Sequence, residues 1–117
     1  MPRFVAVYTM QPEALVAFRA LPKSEQDAID ARGLKAWEAW DKRNAAALVA
    51  GDVMAGKATR VTTAGIAPAQ NQIAGFRIVE AADIAAAAQM FQDHPHITIF
   101  PGDGIDVMPV VSGPPEG

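Results

Sequence analysis

The feature that most constrains this chain is the ordered set of patterns in residues 75–110. A run rich in aromatic and β-branched residues (GFRIVE) leads into an alanine-rich stretch, and a second apolar run (IDVMPV) closes the set. Between them stands the tetrapeptide Asp93-His94-Pro95-His96. Short apolar runs bounded by Gly and Pro are typical of strands, whereas apolar spacings of three and four are typical of helices. The set predicts a strand, a helix, a histidine-bearing turn and a second strand.

Length and composition indicate one ordinary globular domain. The chain has 117 residues, of which 50% are hydrophobic and 20% are charged, and its net charge is −3. The Lys and Arg residues are scattered, whereas a nucleic-acid-binding protein normally concentrates them to meet phosphates. We therefore expect no nucleic-acid partner.

Residue types and segments that the sequence lacks exclude several other classes of protein. There is no cysteine, so there is no disulfide framework, no thiolate nucleophile and no cysteine-ligated metal. The apolar N-terminal run is too short for a signal sequence or a membrane span. We expect no membrane partner and a cytoplasmic location. The sequence also lacks a dinucleotide or phosphate-binding fingerprint, and we expect no cofactor.

The patterns along the whole chain predict the order β-α-(α)-β-β-α-β. Strands are predicted at residues 4–9, 59–63, 73–80 and 105–111, with a loop at 64–72. Helices are predicted at residues 12–20, 25–50 and 84–92, with Asp83 as the cap of the last helix and a bend near Gly33 in the second. This is the α+β, ferredoxin-like βαββαβ order, which gives a four-stranded antiparallel sheet. We assign residues 1–111 to this single domain and residues 112–117 to a flexible tail.

Apolar residues of the predicted strands point to both faces of the sheet. In the first strand, Val5 and Val7 alternate with Tyr8 and its apolar neighbours, and Phe76 and Ile78 belong to a similar pattern in the third. Helices would cover only one face, so the other apolar face needs different cover. The sequence predicts a homodimer in which two sheets pack face to face and bury Tyr8.

Residues 73–110 resemble the YCII-related domain family of small dimeric α+β barrel proteins. The resemblance is carried by residues 75–80, the alanine-rich helix, His94-Pro95-His96 and residues 105–109. It continues more weakly through Trp37, Trp40 and residues 48–56. It implies a ferredoxin-like fold that dimerises into an α+β barrel.

The founding branch of that family is associated with a His–Asp pair, which this sequence does not preserve. Trp40 stands where the resemblance places the histidine on the long helix. His94 stands where it places the aspartate before the proline, and Asp93 comes one residue too early. The resemblance therefore implies the fold but does not transfer that reaction.

The candidate ligand pocket is predicted beside the long helix, where Trp37, Trp40 and Asn44 share one face. A buried amide without a partner costs about 1–3 kcal/mol, so Asn44 either bonds a neighbouring backbone group or orients a polar ligand. Tyr8 either contributes a hydroxyl to the pocket or lies in the dimer interface. Lys57 either neutralises an anionic ligand or is a surface lysine.

The two histidines are the candidate acid–base groups, because imidazole titrates near neutral pH. We assign this role to His94 and place His96 in the pocket; the alternative is a structural role at the helix exit. In an extended segment their side chains would point to opposite sides, which disfavours a shared metal site, and we expect no metal. Arg77 is expected to bind an anionic ligand or to pair with an acid such as Asp106.

Two functions are compatible with these residues. The first is an enzyme, of the lyase, isomerase or hydrolase kind, that binds a small hydrophobic or aromatic molecule and uses His-based acid–base catalysis without a cofactor. The second is a non-catalytic ligand-binding or regulatory accessory module. The indole-lined helix face with one polar interruption favours the first, and the replaced His–Asp pair favours the second.

Overall fold

The computed structural model describes residues 1–111, and the predicted tail at 112–117 lies outside the described residues. The strands are β1 (Arg3–Thr9), β2 (Leu48–Met54), β3 (Ala58–Thr62), β4 (Gly65–Ala69), β5 (Ile73–Glu80) and β6 (Gly104–Pro109). The helices are α1 (Pro12–Arg19), α2 (Lys23–Arg43), α3 (Ile84–Met90) and α4 (Pro95–Thr98). Across this described part, no helix has the length and apolar character needed to cross a membrane.

Four strands form an antiparallel sheet in the order β2-β5-β1-β6. With α1 and α2 between the first two of these strands along the chain and α3 before the last, this is the ferredoxin-like arrangement. The predicted α+β fold class is therefore confirmed.

The second strand of this sheet is not the predicted one. The helix predicted to run to residue 50 ends at Arg43, a 3-10 turn covers Ala45–Ala47, and Leu48–Met54 then pairs with β5. The alanine-rich sequence after Asn44 favours a helix by propensity, but propensity is weak beside tertiary pairing. Asn44 caps α2, and its side-chain amide donates to the Trp40 carbonyl at 3.0 Å.

The strand predicted at residues 59–63 exists as β3 but lies outside the main sheet. It pairs with β4, where a loop was predicted, and the two form a hairpin. Gly65 and Pro68 indicated a loop, yet Pro is tolerated in a strand that has one neighbour, and Gly65 takes a φ of 136° at the turn. Val61 and Ile66 face each other across the hairpin and are both exposed.

The remaining helix predictions hold in outline. Asp83 caps α3 as predicted, and its carboxylate accepts from the Ala86 N–H at 2.8 Å. Gly33 does not break α2; it is buried, and a Cβ at this position would overlap the Phe100 ring. The short α4, which begins at Pro95, was not predicted.

The two faces of the main sheet differ in cover. Toward the helices, β1 buries Phe4, Ala6 and Tyr8, whereas Val5 and Val7 on the other face remain half-buried. The buried hydrophobic side chains are Phe4, Ala6, Tyr8, Trp40, Val79, Ala81, Ala87 and Phe91. The prediction that a second sheet buries Tyr8 is wrong, because the alternation of β1 places this side chain under the helices.

Candidate functional site

Both histidine rings pack against the Tyr8 ring. The ring centroids of His94 and His96 each lie 5.2 Å from that of Tyr8, and the His94 ring lies 4.4 Å from Trp37 and 4.7 Å from Trp40. The expectation that the two histidines project to opposite sides is wrong, because the chain turns into α4 at Pro95 and is not extended there. Five of the predicted site residues thus form one aromatic cluster.

His94 is fully buried within this cluster and begins α4 as its cap. Its Nδ1 accepts a hydrogen bond from the His96 backbone N–H at 3.0 Å. Burial, with smaller contributions from the neighbouring His96 and Arg77, lowers the pKa of His94 to about 3. The ring is therefore neutral and carries its proton on Nε2, which has no hydrogen-bond partner in residues 1–111.

His96 is also buried, and its Nε2 lies 2.7 Å from the Thr9 carbonyl oxygen. A carbonyl only accepts, so Nε2 carries the proton and Nδ1 of the neutral ring is left as an acceptor. Burial lowers the pKa of His96, against the opposing effects of the Thr9 carbonyl and the Asp103 carboxylate. Gly102 makes the room for this ring, because a Cβ there would overlap it.

A cavity of about 620 Å³ opens beside His96, between α1, α2, the end of β2 and the loop after α4. This volume lies within the range of small-molecule pockets, roughly 300–1,000 Å³. Its walls are largely apolar, with carboxylates at intervals. The lining includes the rings of Phe18, Trp37, His96 and Phe100 and the carboxylates of Asp30, Glu38, Asp41 and Asp52.

An ion-pair network on the cavity wall fixes two of these carboxylates. The buried Arg77 guanidinium lies 3.0 Å from Asp41 and 3.3 Å from Asp52, and the Trp37 indole N–H donates to Asp52 at 2.8 Å. Burial raises the pKa of Asp41, against the lowering effect of Arg77. The expected partner Asp106 instead lies opposite Val7 on the other face of the sheet, so it cannot meet Arg77.

Asp52 reaches this position through an irregular stretch of β2. The pairing with β5 shifts between Gly51 and Val53, and Asp52 has a φ of 64°, the sole positive φ of a non-glycine residue within 1–111. Sequence reasoning missed Asp52, since Gly51-Asp52 was interpreted as the end of a helix. A Gly-Asp pair followed by apolar residues also fits a bulged edge strand, and that signal could have located it.

The other predicted pocket residues lie elsewhere or behind the wall. Trp40 is buried, and its indole N–H donates to the Met90 carbonyl at 2.9 Å. Asn44 lies at a separate surface cavity. Lys57 lies at another, of about 480 Å³, on the far side of α1. Within the described chain, no three His, Asp or Glu side chains group in a way that could hold a metal ion.

Neither the family models nor the curated proteins compared with this chain match it. Solved structures do. One is 5-chloro-2-hydroxyhydroquinone dehydrochlorinase (TftG) from Burkholderia phenoliruptrix AC1100, in complex with 2,5-dihydroxybenzoquinone. It is 14% identical, with a TM-score of 0.57 and 95% coverage of both chains. At this identity the likeness shows the fold alone, an α+β ferredoxin-like fold.

Proposed function

We propose that the chain binds a small molecule with an aromatic or hydrophobic ring in the cavity beside His96, and that His96 acts on it as an acid–base group without a cofactor. One observation carries this proposal. A neutral histidine, with Nε2 held by the Thr9 carbonyl, lies in the wall of an apolar cavity that also contains the Trp37 indole.

The proposal gives the acid–base role to His96 rather than to His94. His94 is fully buried and does not line the cavity. Its Nδ1 accepts the His96 backbone N–H, so His94 helps to orient His96. A neutral imidazole is the form that takes up a proton. Once His96 is protonated, the Thr9 carbonyl and the Asp103 carboxylate favour the cation. Asp103 is itself held by Thr9 and Gln11, at 2.8 and 2.6 Å.

Support from the fold is of a general kind. TftG is a dehydrochlorinase of a chlorinated hydroxyhydroquinone, a small ring compound, and the likeness in fold covers 95% of its chain. Fold alone does not transfer an activity, so the reaction proposed for this chain depends on its own cavity. We further propose that the chain is a distant member of the YCII-related family.

The experiment combines binding and turnover on a panel of hydroxylated and unsubstituted ring compounds. Binding is followed by the His96 and His94 imidazole resonances and by tryptophan fluorescence, and turnover by product analysis. We expect bound compounds to shift the His96 resonances. His96→Asn is expected to retain binding and abolish turnover, because the amide cannot take up a proton. Asn44→Ala, at a different cavity, is the matched control and should change neither.

A non-catalytic ligand-binding or regulatory module is the second candidate. It is favoured by the pairing of Asp41 and Asp52 with Arg77, because neither of these two carboxylates is then free to exchange protons together with His96. If ring compounds bind but His96→Asn changes no reaction, this candidate replaces the first. If no compound perturbs His96, both fail.

We also propose that the chain is a homodimer formed through the helix-free face of its sheet. Three side chains of this face remain exposed: Val53 at 51%, Phe76 at 38% and Met108 at 41%. Exposed apolar groups that are contiguous on one surface are typical of association sites. Light scattering after gel filtration tests this proposal, and a mass of one chain at micromolar concentration would contradict it.

A further inference from the structure

The polar side chains that line the cavity beside His96 are hydrogen-bond acceptors. Asp30, Glu38, Asp41 and Asp52 are carboxylates, which only accept when ionised. His96 has committed its N–H to the Thr9 carbonyl and retains an acceptor at Nδ1. Trp37, whose indole N–H is the other side-chain donor that the described residues place in the lining, already donates it to Asp52.

The charge of the cavity is negative as well. Among residues 1–111, no Lys or Arg lines the cavity. Arg77, behind the wall, faces both Asp41 and Asp52 with a single guanidinium. Within the described residues, neither Asp30 nor Glu38 has a salt bridge. Four carboxylates thus line the cavity, and the single positive group behind the wall pairs with two of them. The net charge around the cavity is negative, and it would repel an anionic ligand.

The apolar walls suit an aromatic body. Phe18 comes from α1, Trp37 from α2 and Phe100 from the loop after α4, so aromatic rings enter the cavity from three elements. Ring faces attract cations within about 6 Å of the ring centroid, and the attraction grows when water is excluded. Aromatic walls and acceptor groups therefore select for the same kind of ligand.

We infer that the cavity takes an organic cation, an ammonium group carried on an aromatic or apolar body. The ammonium donates to the carboxylates and to His96 Nδ1, and the body packs against Trp37 and the two phenylalanines. This inference deepens the proposed function and rests on it, because it names the class of compound that the same cavity binds. Phenolates, carboxylates and phosphates are the classes that it excludes.

The experiment uses three probes with one body and three head groups: 2-phenylethylamine, 2-phenylethanol and phenylacetate. Each is titrated into the full chain at low ionic strength, and binding is measured by calorimetry and by the His96 resonances. We expect the amine to bind most tightly, the alcohol less tightly and the acid weakest. The expected ratio between amine and acid is at least about tenfold, which corresponds to about 1.4 kcal/mol.

A charge-removing variant and a matched control separate charge from shape. The double variant Asp30→Asn with Glu38→Gln should weaken binding of the amine about threefold or more and leave binding of the alcohol unchanged. It should strengthen binding of the acid, because the two carboxylates attract a cation and repel an anion through Coulomb forces. Glu25→Gln, on the same helix but away from the cavity, should leave all three affinities unchanged.

The failures of the two proposals can be told apart. Equal affinity for the three probes, or a preference for the acid, overturns the cation inference while the bound alcohol still supports a ring-binding cavity. Binding of none of the probes overturns the proposed function and the inference together. An equal loss of amine and alcohol affinity in the double variant also overturns the inference, because charge would then not be the cause.

Discussion

The two faces of one sheet carry different kinds of side chain. Under the helices, strands β1 and β5 present Tyr8 and Arg77, which meet histidines, indoles and carboxylates. On the open face the same two strands present Val5, Val7 and Phe76, which are apolar. Alternate residues of a single strand therefore serve unrelated purposes.

The covered face contains polar groups whose bonding is incomplete. The hydroxyl of Tyr8, Nε of Arg77 and Nε2 of His94 are buried and have no hydrogen-bond partner within residues 1–111. Such groups cost free energy when they stay unpaired, and a bound water or a role in binding or chemistry can account for them. The covered face therefore combines specific ring contacts and ion pairs with unpaired polar atoms, whereas the side chains of β1 and β5 on the open face are apolar.

The largest effect is expected for Trp40→Ala on the covered face. Trp40 is 1% exposed, packs against Phe91 and His94, and donates to the Met90 carbonyl, so its removal leaves a large cavity and an unpaired acceptor. We expect a loss of about 3–5 kcal/mol in the free energy of unfolding, measured by denaturant titration. Leu34→Ala, at an exposed position, should cost far less. Equal losses of unfolding free energy in the two variants would contradict the expectation that Trp40 is a core residue of the covered face.

The next effect concerns the fit of His96. In Gly102→Ala the new methyl group overlaps the imidazole, so either the ring or the loop must move. We expect a loss of about 1–3 kcal/mol in the free energy of unfolding, with a changed His96 resonance from the broken bond to Thr9. Gly56→Ala is the matched control, because a Cβ there meets nothing within 4 Å. An unchanged His96 resonance in Gly102→Ala would show that this contact does not position the ring.

The buried histidines predict a pH dependence of stability. The pKa of His94 is 6.5 for an unperturbed imidazole, as in the unfolded chain, and about 3 in the folded chain. Between these two pH values the unfolded chain binds a proton that the folded chain does not. The contribution of His94 to the free energy of unfolding is therefore fully present above pH 6.5. It is lost as the pH decreases toward 3, by up to about 1.4 kcal/mol per pH unit. His96, whose pKa is also lowered, adds to the same trend.

Denaturant titrations at several pH values, and the imidazole resonances of the folded chain, measure this dependence. His94→Phe should reduce the slope, and the His94 resonance of the parent chain should stay in its neutral form down to pH 5. A His94 that protonates near pH 6.5 while the chain remains folded would contradict its burial.

The smallest effect on folding is expected on the open face. Phe76→Lys replaces a side chain that is 38% exposed, and in the isolated chain it should change the free energy of unfolding by less than about 1 kcal/mol. If the open face joins two chains, the same change should shift the molecular mass by light scattering from two chains to one. Val61→Lys, on the exposed hairpin, is the control. Strong destabilisation by Phe76→Lys without a change in molecular mass would show that the open face serves folding and not dimerisation.

The sequence predicted the fold class because period-two alternation and the capped C-terminal helix are local signals. β1, β5, α3 and β6 follow from such signals, and Asp83 caps α3 as expected. The strand β2 could not be predicted in this way. Its residues form a strand because they pair with β5, from which residues 55–72, the hairpin and its flanking loops, separate them.

The candidate site was predicted in part for the same reason. Tyr8, Trp37, Trp40, His94 and His96 were singled out as candidates by residue type. The contact of both histidine rings with Tyr8 was not predicted, because it depends on the turn of the chain into α4 at Pro95. The carboxylates of the cavity are common residue types with nothing in their local spacing to mark them. They come together only through the tertiary packing of α2 against β2, which local sequence patterns do not reveal.

The irregular pairing of β2 has a consequence for how this chain meets its neighbours. Two register shifts, around Val49 and around Asp52, interrupt the strand that forms one border of the main sheet. A border strand with a regular row of free amide and carbonyl groups invites another chain to continue the sheet sideways, and an interrupted one does not. The irregular pairing around Asp52, which directs its carboxylate toward the cavity, thus also disfavours extension of the sheet by another chain at this edge.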